Sequence, residues 1–325
     1  MKSLINKCIP YIPVFLKRFF LKENLYFGIS LKITGKCNLN CIYCSACDNS
    51  TDIDCINIIE FLRIMKNKGL FYVILSGGEP FFYSERDILI DYLKENNFYT
   101  VINTNGILIN NLDYRDFLLK ADEVVVSIDG DNVINDKSRG KGSFQKIIKT
   151  LGFLKNNKIK TVISTVVWKE NCNEKTLEFF RKLKNKFKVT LDFEIISSEL
   201  VPEHNKKNCI PETQDIGLFS ETLSYYKKKF KWNEISDISI KNLKECRPII
   251  CKSFNYVLYM NNDGKLYPCV DKIGKKDFYL GDINTFRGAG KRSIYCNGCK
   301  CNSLLNFNTI LSGKLDLNSL IRWVK

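Results

Sequence analysis

The sequence predicts an α/β protein built on a parallel sheet, and three observations carry the prediction. Short apolar runs alternate with longer stretches of helical periodicity from about residue 26 to about residue 230. The runs are nearly continuously apolar, as strands buried on both sides are. Six strand-then-helix units follow one another. That is short of a full eight-unit barrel and leaves a partial barrel or an open doubly wound sheet. In either architecture the chemistry sits at the carboxyl ends of the strands.

The first strand is predicted over 26–33. Ile58, Phe61, Leu62 and Met65 recur at helical spacing and place a helix over 53–68. A second strand, 70–75, runs into Ser76-Gly77-Gly78. A helix over 87–95 leads to a third strand, 99–102, which ends at Asn103-Thr104-Asn105-Gly106. A short helix over 112–119 precedes a fourth strand, 123–128, which ends at Asp129-Gly130. Helices over 144–155, 175–185 and 214–230 alternate with strands over 160–168 and 189–196. Past residue 235 the pattern changes. Two apolar stretches, 256–260 and 266–267, flank Asn261-Asn262-Asp263-Gly264, a hairpin turn signal. The expected organisation is an extension over 1–25, a core over 26–235 and a small α+β domain over 236–325.

Composition narrows the chemistry. With 45% hydrophobic and 26% charged residues, the 325-residue chain has the profile of a globular protein. The single His204, in a polar stretch, argues against His triads and His-rich metal sites. Lys+Arg exceed Asp+Glu by 50 to 35, a net charge of +15. Lysine is spread along the chain and no Arg-rich block stands out, so the charge reads as a solvated surface rather than a nucleic-acid site. The best candidate for a membrane span, 9–20, is broken by Pro10 and Pro13 and closed by Lys17-Arg18. A span needs about 20 apolar residues. Phe15, Leu16, Phe19 and Phe20 are instead expected to pack on the main domain. Without an export signal the chain is expected in the cytoplasm, where thiols stay reduced. The 14 cysteines then point to metal rather than disulfides.

Directly after the first strand comes Cys37-Asn-Leu-Asn-Cys41-Ile-Tyr-Cys44. Three thiolates on one short loop can take three corners of a cubane iron–sulfur cluster, leaving one iron open to another molecule. A zinc loop or buried thiols are the competing explanations. At the end of strand two, Gly77 and Gly78 let a ligand approach the backbone, and Glu79 adds a carboxylate suited to an amino group.

Together these features resemble the radical S-adenosylmethionine (radical SAM) enzymes. That family carries Cys-x3-Cys-x2-Cys after strand one, with an aromatic before the third Cys, here Tyr43, and Gly-Gly-Glu after strand two. The resemblance covers about 26–230 and implies a partial (β/α)6 barrel. It implies a [4Fe–4S] cluster on Cys37, Cys41 and Cys44 whose open iron chelates S-adenosylmethionine. Gly77–Glu79 would hold the methionine amino group and Tyr43 would lie beside the adenine. Ser127 and Asp129 resemble the ribose-contacting position, and Asn103 and Asn105, at the end of strand three, would either face the same cavity or form the turn before Gly106. Arg139 lies in a segment common in one branch of the family. The implied chemistry is reductive cleavage of the cofactor to a 5′-deoxyadenosyl radical, which abstracts hydrogen from a substrate.

Farther on, Cys251-x12-Gly264-x4-Cys269 and Cys296-Asn-Gly-Cys299-Lys-Cys301 resemble a truncated SPASM or twitch domain. This implies one auxiliary [4Fe–4S] cluster on Cys251, Cys269, Cys296 and Cys299, with Cys246 and Cys301 as competing ligands. A four-cysteine zinc site is the alternative. Asp271, just past Cys269, lies near where some members of the family place a substrate base. The resemblance further implies an anaerobic oxidoreductase acting on a peptide or protein, with dehydrogenation of a small molecule or cofactor biosynthesis as the alternative. A ferredoxin- or flavodoxin-type reductant would supply the electron. A non-catalytic electron-transfer protein is the remaining reading.

Overall fold

The computed structural model describes residues 26–48, 52–199, 201–232, 234–235, 237, 240–241, 249–251, 256–286 and 294–296. Six β/α units form its core. Strands β1 (Gly28–Thr34), β2 (Tyr72–Gly77), β3 (Tyr99–Thr104), β4 (Glu123–Ser127), β5 (Lys160–Val167) and β6 (Thr190–Ile195) lie side by side in sequence order and all pair in parallel. This is the partial barrel expected from the alternation of apolar runs and helices.

The helices follow from amphipathic spacing and local caps. Helix α1 (Cys55–Lys66) starts at Asp54, whose carboxylate accepts the Ile56 N–H, and buries Ile58, Phe61, Leu62 and Met65. Each such side chain contributes about 1.5–3 kcal/mol on burial. Helices α2 (Arg86–Glu95) and α3 (Leu112–Leu119) cover the same side of the sheet. Helix α4 (Asn132–Arg139) has no counterpart in the sequence-based expectation, because its buried residues are Asn135, Ser138 and Arg139 rather than apolar ones. It is capped by Asp131 and ends at Gly140, whose φ is +107°. Helices α5 (Ser143–Asn156), α6 (Glu174–Phe187) and α7 (Thr213–Phe230) complete the outer layer.

The lumen side of the strands is closed near their amino ends. Tyr72 and Tyr99 stack at 5.4 Å between ring centroids. The Tyr99 hydroxyl donates to Glu123 at 3.1 Å, and Lys160 pairs with Glu123 at 2.7 Å. Toward the carboxyl ends the same face turns small and polar. Ser30 meets Ser76 at 3.3 Å, and Ser127 lies in register with Ser164, which is in register with Asp192. The space for a ligand is therefore at the carboxyl ends, where the motif loops leave the sheet.

After β7 (Ile249–Cys251), the expected hairpin forms from β8 (Val257–Met260) and β9 (Lys265–Tyr267), with Gly264 at φ +78°. It is fastened to the barrel sheet: β8 pairs in parallel with β1, and β9 continues to β10 (Gly281–Asp282). Among the described residues this makes one nine-stranded sheet. A separate ribbon pairs β7 with β11 (Ile294–Cys296). No helix among the described residues is long and apolar enough to cross a membrane. The N-terminal extension lies outside the described residues.

Candidate active site

The thiol loop leaves β1 and closes on itself, with the Asp48 N–H donating to the Gly35 carbonyl at 3.2 Å. Lys32 on β1 pairs with Asp48 at 2.6 Å, and Asn262 of the hairpin turn donates to Asp48 at 3.2 Å. At the far side, the Ile42 N–H donates to the Ser138 carbonyl at 3.1 Å, and Asn205 donates to the Ile42 carbonyl at 2.6 Å. Cys37 and Cys41 are half-buried and Cys44 is exposed. N–H groups point at the sulfurs: Leu39 to Cys37 at 3.4 Å, Ala46 to Cys44 at 3.3 Å, and Asn105 Nδ2 to Cys37 at 3.8 Å. Such donors stabilise thiolate ligands, so the donor set fits an iron–sulfur cluster. Among the described residues no three Cys, His, Asp or Glu side chains surround a single metal-ion position. A cubane takes each thiolate at a different iron. Burial pushes the Cys37 thiol up to about 12 and the Cys41 thiol up to about 11, so cluster binding must displace protons. Cys47 lies on the same loop, its thiol 3.8 Å from the Leu39 carbonyl.

Gly77 and Gly78 turn out to serve close backbone packing. A Cβ on Gly78 would stand 2.6 Å from the Lys36 carbonyl carbon, and one on Gly77 would overlap the Thr34 carbonyl oxygen. Gly77 also has φ +143°. The Gly78 N–H donates to Thr34 O and the Glu79 N–H to Lys36 O, both at 2.8 Å. The end of β2 thereby holds the segment leading into Cys37.

The Glu79 side chain corrects the expectation that it faces a ligand amino group. It is fully buried. Oε1 accepts from the Thr104 hydroxyl and Oε2 from the Asn105 N–H, each at 2.8 Å. Burial raises its carboxyl to about 7. Glu79 therefore ties β2 to β3, and Asn105 extends the tie to Asn38 at 2.8 Å. What the segment leaves for a ligand is backbone.

Asp129 requires the same correction. It is fully buried and its carboxylate is taken up within the protein. Arg139 binds it in a fork at 2.8 and 2.9 Å, the Ser138 hydroxyl donates at 2.7 Å, and the Tyr43 hydroxyl at 2.5 Å. With both oxygens occupied, Asp129 presents nothing to a ribose. Tyr43 is buried among Trp168, Ile196, Val201 and Cys209. Asn103 and Ser127 are half-buried on the lumen side of β3 and β4 and make no side-chain hydrogen bond with other described residues. Sequence reasoning missed Asn135, Ser138 and Asn171, which complete this network. Asn171 Nδ2 donates to the Asp129 carbonyl at 2.8 Å. His204 is exposed, in the short 3₁₀ turn whose last residue, Asn205, bonds to Ile42.

In the tail, the β7–β11 register sets Cys251 opposite Ile294 and Cys296 opposite Ile249, two positions apart on paired strands. Half-buried Cys269 precedes the turn containing Asp271. Burial pushes the Tyr259 hydroxyl on β8 up to about 12, in surroundings that include Ser76, Cys44 and Cys269. Cys246, Cys299 and Cys301 lie outside the described residues.

The radical SAM superfamily model matches residues 31–183, the span from the first strand through α6. Over that span, just under half of the chain, the protein is similar to the radical SAM superfamily. Enzymes of this family use a [4Fe–4S] cluster and S-adenosylmethionine. A mycofactocin maturase of Mycolicibacterium smegmatis is 31% identical over 193 residues, covering 55% of this chain and 47% of the maturase. The chain thus aligns with about half of that relative. A GTP 3′,8-cyclase of Clostridium botulinum is 27% identical over 299 residues, covering 82% of this chain and 89% of the cyclase. The fold resembles Streptococcus suis SuiB bound to S-adenosylmethionine, with a TM-score of 0.68 and 18% identity over 84% of this chain and 67% of SuiB.

Proposed function

We propose that Cys37, Cys41 and Cys44 hold a site-differentiated [4Fe–4S] cluster for a radical SAM oxidoreductase acting on a peptide or protein. The observation that carries the site is the loop itself, which is locked against the Gly77-Gly78 backbone and offers N–H donors to its sulfurs. Bound there, the two cofactors supply hydrogen-atom abstraction started by reductive cleavage of S-adenosylmethionine. The chain's own residues do the positioning. Gly77 and Gly78 set the entry to Cys37, Glu79 fixes β2 against β3, and Tyr43 anchors the loop between Cys41 and Cys44. Asn103 and Ser127 offer polar contacts on the lumen face. Trp168, Ile196 and Val201 around Tyr43 keep that side dry.

The paired strands carrying Cys251 and Cys296 support an auxiliary [4Fe–4S] cluster on Cys251, Cys269, Cys296 and Cys299 in a tail unit over 236–325. Cys246 and Cys301 compete as ligands. A ferredoxin- or flavodoxin-type protein is the proposed electron donor. Similarity to a maturase favours a peptide substrate. Similarity to the GTP cyclase over most of both chains supports a small-molecule substrate as the second reading.

Deuterium transfer distinguishes the two. The reduced enzyme is given S-adenosylmethionine with either a deuterated peptide from a neighbouring reading frame or deuterated GTP. Deuterium in 5′-deoxyadenosine from the peptide supports the first reading. Transfer from GTP alone overturns it.

A further inference from the structure

We infer that the buried Asp129–Arg139 pair is an electrostatic brace for the three-cysteine loop, positioning it through Tyr43 and setting the charge that its cluster experiences. The inference rests on the cluster reading above and adds two residues that touch neither cofactor nor substrate.

The geometry is overdetermined on every side. Asp129 is fully buried and Arg139 is 6% exposed. The guanidinium forks onto the carboxylate at 2.8 and 2.9 Å, and its carbon lies 5.8 Å from the Tyr43 ring centroid. The Tyr43 hydroxyl donates to the same carboxylate at 2.5 Å. One residue earlier, the Ile42 N–H donates to the carbonyl of Ser138, whose hydroxyl also bonds Asp129. The last turn of α4 thus grips both Ile42 and Tyr43, the two residues between Cys41 and Cys44. Asp129 is itself pinned by Asn135, whose Oδ1 accepts its N–H at 3.0 Å, and by Asn171.

A buried ion pair is a poor device for stability alone, since apolar side chains of similar volume fold as well or better. Its value lies in what surrounds it. The pair sits directly behind a loop of thiols whose cluster would gain negative charge on reduction. Charge close to a cluster is one of the settings of its potential. Arg139 stabilises the reduced form and Asp129 opposes it, so removing either partner shifts the potential in opposite directions.

The test is an EPR-monitored redox titration of the reconstituted full chain, with the first cluster identified by its response to S-adenosylmethionine, alongside iron per chain. Arg139→Gln leaves Asp129 unbalanced and should lower the potential by about 59 mV, a tenfold change in the reduced fraction at fixed poise. Asp129→Asn leaves Arg139 unbalanced and should raise it by a similar amount. Arg139→Lys should restore the wild-type value. Tyr43→Phe keeps both charges and should leave the potential in place while lowering iron uptake. A purely structural pair would reduce loading in both charge variants without opposite shifts. Equal potentials, or shifts of one sign, overturn the inference. If Arg139→Gln does not fold, Asp129→Asn against Tyr43→Phe still decides it. Wild-type protein that takes up no cluster removes the parent reading, and this inference with it; a loaded wild type with unshifted variants removes this inference only.

Discussion

Gly78→Ala is the sharpest perturbation of the loop's support. The new Cβ would stand 2.6 Å from the Lys36 carbonyl carbon and 2.9 Å from the Gly35 carbonyl oxygen, with the Lys36 oxygen closer still. Carbon atoms in contact settle at about 3.5–4.0 Å, so the 35–36 backbone must retreat by about 1 Å. Backbone cannot swing aside as a side-chain tip does. The overpacking costs about 1–3 kcal/mol. The displacement also stretches the two 2.8 Å bonds from Gly78 and Glu79 to Thr34 and Lys36, each worth about 1 kcal/mol. Together this is about 2–4 kcal/mol, a drop in melting temperature of about 3–6 °C for a chain of this length. Because Cys37 is the next residue, iron uptake should fall as well. A shift of about 1 Å in a reacting group can cost about 100-fold in rate. Gly152→Ala is the control. It lies within α5 with nothing within 4 Å of its Cβ position, and should gain about 0.5–1 kcal/mol. Thermal melts and iron analysis of the two variants read the effect. A Gly78→Ala protein that melts and loads like wild type would refute the packing role assigned to this glycine.

Two further outcomes follow from the same geometry. Glu79 has its folded carboxyl raised from 4.5 to about 7, so the stability linked to its protonated form is full below about pH 4.5 and lost as pH rises through about 7. The loss is on the order of 3 kcal/mol. Glu79→Gln should remove that slope, because its amide can donate to Thr104 Oγ1 while that hydroxyl turns to Tyr114, 2.8 Å away. Denaturation at pH 5.5 and pH 8 checks it, and a pH-independent difference between the two proteins contradicts the assignment. Replacing Cys251 and Cys269 with Ala should lower iron from about eight to about four per chain, while the first cluster keeps its spectral response to S-adenosylmethionine. Unchanged iron, or zinc in the wild-type tail, contradicts an auxiliary cubane.

Much of the barrel was legible because each unit carries its own local signal. Ile58, Phe61, Leu62 and Met65 announce α1, and the runs that became β1–β6 are apolar enough to be read singly. Helix α4 was not legible, because it buries Asn135, Ser138 and Arg139 and so lacks an apolar stripe. The hairpin was readable from its turn residues, but its parallel pairing with β1 joins segments more than 200 residues apart and leaves no local mark. Similar limits apply to Glu79 and Asp129. A carboxylate after a glycine pair or at a strand end reads as a ligand contact. Whether it turns inward depends on partners such as Thr104, Asn105 and Arg139, each carried by another element.

Formation of 5′-deoxyadenosine from S-adenosylmethionine tests the central claim most directly. Anaerobically reconstituted and reduced wild-type protein should produce it, and Cys37→Ala, Cys41→Ala and Cys44→Ala should each abolish it. Wild-type protein with full iron loading and no product, or a Cys37→Ala variant that forms product at the wild-type rate, would contradict the assignment of this loop.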